Sequence, residues 1–63
     1  MSEQALTDRD VYLKLAAAAE ELWALAEQAE SLVGQTALRT AAGTIAGTAK
    51  AVYEHMLAAD GTH

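Results

Sequence analysis

The chain has 63 residues, no cysteine and a formal net charge of −5, from nine acidic and four basic side chains. A chain of about 60 residues buries only about 60% of the surface that its unfolded form exposes, so one domain with a small stability margin is expected. The few bases are scattered along the chain, which argues against binding to a nucleic acid backbone. With no disulfide and no set of metal ligands, self-association is the remaining way to stabilise so small a fold.

We looked for a signal peptide and for a membrane-spanning segment in the sequence. The first ten residues hold three acids and no basic start before an apolar core, so we read no signal peptide. The longest apolar stretches fall far short of a membrane span. We therefore expect a cytoplasmic protein that has no membrane contact.

Helix one is predicted at residues 8–33. Thr7 can cap its free amides, and Asp8 and Asp10 would lie in the first turn, where the helix dipole favours negative charge. Ser2 is a rival start, and residues 1–6 are expected to be frayed or loosely helical. Seven apolar residues then recur with alternating spacings of four and three: Val11, Leu15, Ala18, Leu22, Leu25, Ala29 and Leu32.

Gly34 comes directly after this run and suits the left-handed position that closes a helix. A turn is therefore predicted at 34–36 and helix two at 37–60, with 61–63 frayed. Helix two repeats the spacing: Leu38, Ala42, Ile45, Ala49, Val52, Met56 and Ala59. Because the connection is so short, we predict an all-α antiparallel helical hairpin in which the numbers of facing residues sum to about 70 or 71.

Helix one has a third apolar column, which holds Tyr12, Ala19, Ala26 and Val33. A stripe of three columns is wider than one partner helix can cover. The sequence therefore predicts that two copies associate as a homodimeric four-helix bundle.

Two groups of residues in helix one are candidate contacts for a partner. Trp23 and Tyr12 belong to the residue types most enriched at binding hot spots, although a core or self-interface role is the simpler interpretation. Glu20 and Glu21 have no obvious local cation. They are either a solvated face or a docking strip for a basic patch on another protein.

Helix two carries a ridge of small residues that includes Gly43, Thr44, Gly47 and Thr48. Each glycine inside a helix costs about 1 kcal/mol relative to alanine, so an offsetting contact is expected. We favour packing against a neighbouring helix or an aromatic ring. The alternative is a shallow docking groove for a partner helix or a small ligand.

The pattern holds no catalytic motif, no phosphate-binding loop and no cluster of metal ligands, so we expect neither an enzyme nor a bound cofactor. The leading hypothesis is a small interaction module that binds and modulates another protein, as an inhibitor, antiactivator or adaptor. One alternative is an oligomeric binder of a small ligand or nucleotide, with pockets between subunits. Another is a structural subunit of a larger assembly.

Overall fold

A computed structural model describes residues 5–60 of the chain. It contains two α-helices, α1 at Asp8–Gln28 and α2 at Leu32–Asp60, which pack side by side in opposite directions. This architecture confirms the all-α helical hairpin. Within residues 5–60, neither helix combines the length and the apolar character that crossing a membrane requires. The rival start at Ser2 and most of the predicted fraying, at 1–4 and 61–63, lie outside the described residues.

The start of α1 agrees with the prediction. The Thr7 hydroxyl accepts a hydrogen bond from the Asp10 amide at 3.1 Å, and the Asp10 carboxylate accepts one from the Thr7 amide at 3.2 Å. This reciprocal capping box satisfies two amides that the helix itself leaves free. The short side chain of aspartate therefore serves where glutamate or glutamine is usual.

The turn lies earlier than predicted, at residues 29–31 instead of 34–36. Ala29 adopts an extended conformation with φ −68° and ψ 136°, which ends α1 five residues before the expected end at 33. The Ser31 hydroxyl then accepts a hydrogen bond from the Gly34 amide at 2.9 Å, and the Gln35 side chain donates one to the Ala29 carbonyl at 3.3 Å. Gly34 thus lies in the first turn of α2 and does not close α1, because Ser31 caps the second helix.

The earlier turn changes the register between the helices. The rings of Tyr12 and Tyr53 pack against each other with centroids 5.2 Å apart and a tilt of 37°. The Asp8 carboxylate lies 3.7 Å from the His55 imidazole. These facing pairs have residue numbers that sum to 65 and 63, so the predicted sum of about 70 or 71 is wrong. The helices are offset by more than one turn relative to the predicted pairing.

The centre of the helix pair is made of alanine. The buried residues of the described chain are Ala19, Ala26, Ala42 and Ala49, with at most 4% of the surface of each exposed. Ala19 and Ala26 belong to the third apolar column of helix one. This column therefore faces α2, and the run of seven apolar residues from Val11 to Leu32 does not. Methyl side chains at the contact let two helices approach closely.

Eight of the larger aliphatic residues lie to one side of this alanine seam. Residues four before and three after a buried alanine share one side of a helix, whereas residues three before and four after share the other. The first group includes Leu15 and Leu22 of α1, and Leu38, Ile45 and Val52 of α2. Val11, Leu25 and Met56 lie three or four residues from a member of this group and extend the same side. We call these eight residues the aliphatic face. Seven of these side chains are half-buried and Leu25 is 41% exposed. In the predicted apolar run of helix two, Ala42 and Ala49 are buried as expected, whereas the hairpin leaves the larger residues of both runs partly open.

Candidate functional site

The opposite side of the hairpin carries a groove between α1 and α2, with a volume of about 290 Å³. We call it the aromatic groove. Alanines from both helices line its floor: Ala16, Ala19, Ala46 and Ala49. The paired rings of Tyr12 and Tyr53 lie at one end of the groove, and Trp23 lies toward the other end. The groove therefore combines an apolar floor with all three aromatic side chains of the protein.

Helical spacing explains how these aromatic residues come together. Trp23 lies four residues after the buried Ala19, and Tyr53 lies four residues after the buried Ala49, which places both on the side away from the aliphatic face. Trp23 is 43% exposed and Tyr53 is 42% exposed. The sequence pattern places Trp23 on the same side of helix one as Tyr12, whereas Tyr53 joins them only because of the observed register.

Two opposite charges border the groove, Glu20 on α1 and Lys50 on α2. In the part of the chain that the structure describes, the single contact between an acidic and a basic side chain is the exposed one between Asp8 and His55. Glu20 and Lys50 are therefore not paired with each other. Both remain available to side chains of a bound molecule.

The acidic strip that was predicted from Glu20 and Glu21 is divided by the helix geometry. Consecutive residues of an α-helix point about 100° apart. Glu20 lines the groove, whereas Glu21 is exposed and does not line it. Among the residues that the structure describes, Arg39 makes no ion pair with Glu27 or Glu30.

The ridge of small residues on α2 does not pack within the hairpin. A methyl group added at Gly43 or Gly47 would meet no atom within 4 Å outside its own helix, so the expected close contact is not made there. The Thr48 hydroxyl donates a hydrogen bond to the Thr44 carbonyl one turn earlier, at 3.0 Å. This hydroxyl is thus already engaged with its own helix.

An apolar patch that the sequence reasoning missed lies at the tip of the hairpin. Leu32 and Val33, in the first turn of α2, are 73% and 80% exposed, and Thr36 and Ala37 complete the patch. The prediction had placed both large residues at the end of helix one. A serine before an apolar pair, here Ser31, was the signal for a helix start at this point.

The residues that the structure describes contain no group of three or more side chains able to hold a metal ion. His55 has one carboxylate neighbour, Asp8, and both are exposed to solvent. Comparisons with protein families, characterised proteins and solved structures found no match to this chain.

Proposed function

We propose that the protein is a non-enzymatic interaction module of the cytoplasm. In this proposal two hairpins form a homodimeric four-helix bundle that binds another protein and modulates its activity, as an inhibitor, antiactivator or adaptor. The observation that carries the proposal is the aromatic groove. Exposed Trp and Tyr side chains over an apolar floor are typical of the centres of protein interfaces.

The charges at the groove indicate what a partner would present. A basic side chain beside Glu20 and an acidic one beside Lys50 would complement the two sides, and an apolar side chain between them would cover the alanine floor. Such complementary charges act mainly on the rate of association and on specificity. The alanine floor and the aromatic side chains at the ends of the groove would supply most of the affinity.

The experiment places a photoreactive amino acid at position 23 in the native cell and identifies the protein that becomes linked to it. The same probe at Val33 is a matched control, because Val33 is exposed but lies at the tip of the hairpin. A partner linked from position 23 and not from position 33 is then purified and its affinity measured directly.

Trp23→Ala is expected to weaken that binding about 30-fold, the equivalent of a hot-spot loss of about 2 kcal/mol. Val33→Ala should leave it unchanged. Equal binding by both variants would show that the groove is not the contact surface. Glu20→Gln should slow association and reduce its salt dependence, whereas Glu21→Gln, outside the groove, should do neither.

A further inference from the structure

The hairpin leaves the aliphatic face without a partner. None of its eight large side chains is buried, and the buried residues within 5–59 are all alanines. We propose that a second copy of the chain covers this face, with the α1 of each copy lying on the α2 of the other. The two copies are related by a two-fold axis that runs parallel to the helices. This inference rests on the self-association within the proposed function and is independent of partner binding at the aromatic groove.

The exposed area of the chain fits an occupant of this size. The protein exposes 4742 Å², whereas a monomer of its mass, 6.6 kDa, exposes about 3,900 Å². The excess over that value is about 850 Å², which is close to the area of about 800 Å² that a stable interface buries on each partner. One further hairpin, packed along the full length of the face, supplies such an area.

The levels of the large side chains along the helices support this pairing. The Tyr12–Tyr53 and Asp8–His55 pairs place Ile45 level with residues 18–20, between Leu15 and Leu22. The same pairs place Val52 level with residues 11–13, before Leu15. A two-fold axis parallel to the helices keeps every residue at its level, so side chains of one α2 fall between those of the facing α1. This alternation is the geometry by which helices interdigitate.

Charge favours the same axis over the perpendicular one. Residues 8–28 of α1 hold five acidic and two basic side chains, whereas residues 32–60 of α2 hold two of each. An axis perpendicular to the helices would stack each α1 on the other α1 and bring like charges together. The parallel axis places each acidic α1 on a neutral α2 and puts the two α1 helices on a diagonal.

A membrane surface fits the face less well than a second copy does. Lipid-binding amphipathic helices are rich in lysine and arginine, because the cytoplasmic leaflet is anionic. The net charge of −5 opposes that attraction. A second hairpin, in contrast, matches the length and the apolar character of the face along both helices.

Electron paramagnetic resonance distances between spin labels test the arrangement, because the native chain has no cysteine. Single cysteines replace Lys14, Glu21 or Gln28, which are exposed, lie on one side of α1 and are spaced by seven residues. Each step along the helix is about 10.5 Å. The parallel axis predicts three similar distances between copies, whereas the perpendicular axis predicts distances that change by up to about 21 Å per step and cannot all agree.

Dilution of each labelled protein with unlabelled protein should reduce the dipolar signal in proportion, which shows that the distances are between copies. Three unequal distances would overturn the parallel axis. A folded monomer by sedimentation, with no dipolar signal, would overturn the second copy as occupant, and retention of that monomer on phosphatidylcholine vesicles would assign the face to lipid. Trp23→Ala should leave all three distances unchanged, so a failure of partner binding is separable from a failure of this inference.

Discussion

Replacing Gly43 and Gly47 with alanine should stabilise the protein, contrary to the expectation that these glycines are held in a close contact. An added methyl group at either site meets no atom of the hairpin within 4 Å outside its own helix. In the proposed dimer both sites also lie away from the aliphatic face. Only helix propensity then changes, by about 1 kcal/mol per site, so the double variant should gain about 2 kcal/mol.

The matched control is Gly34→Ala, the same chemical change in the same helix. Its added methyl group would lie 3.3 Å from the Ser31 hydroxyl and 3.4 Å from the Ala29 methyl. Since that hydroxyl caps α2, the gain in propensity should be lost there and the stability should stay unchanged or fall.

Thermal unfolding at one fixed protein concentration measures the double variant and the control, because the stability of a dimer depends on concentration. The double variant should melt roughly 8–16 °C higher, at 4–8 °C per kcal/mol for a domain of this size. A lower melting temperature, or a changed sedimentation coefficient, would refute the reasoning and show that a neighbouring helix packs on the ridge.

Three further predictions concern the turn, the aromatic pair and the alanine seam. Ser31→Ala should cost about 1 kcal/mol in chemical denaturation, since the cap of α2 is lost, and an unchanged midpoint would contradict the turn. A double-mutant cycle of Tyr12→Ala and Tyr53→Ala should give a coupling of about 0.5–1.5 kcal/mol, whereas zero coupling would argue against the stacked rings. Ala42→Leu should destabilise the fold by about 1–3 kcal/mol, while Ala51→Leu on the exposed side should be tolerated. Equal effects of the two substitutions would show that Ala42 does not lie at the contact between the helices.

The sequence predicted the two helices and the start of the first because those features are local. Thr7 and Asp10 are three residues apart and form their hydrogen bonds without help from the rest of the chain. The turn was misplaced because Gly34 was interpreted as the end of a helix. The Gly34 amide instead donates a hydrogen bond to the Ser31 hydroxyl. This contact spans only three residues, so it is as local as the helix end that was predicted at Gly34.

The misplaced turn also made the predicted pairing between the two helices wrong. Heptad analysis identifies which residues are apolar, yet it does not decide which of three adjacent columns faces the partner helix. Ala19 and Ala26 occupy the centre because small side chains let the helices approach, which leaves the leucines at the side. The contact between Tyr12 and Tyr53 follows from the register and was not predictable from the spacing within either helix.

An alanine seam gives the hairpin two sides of different character, and this difference separates their proposed roles. The aliphatic face carries no charged side chain, as is usual for permanent interfaces, whereas the aromatic groove is bordered by Glu20 and Lys50. If the aliphatic faces of two copies are buried together, the two grooves lie on opposite outer surfaces of the dimer. Each dimer then offers two equivalent sites that do not obstruct each other. Titration calorimetry with the partner should give one partner for each chain, and one partner for each dimer would mean that the groove and the dimer contact overlap.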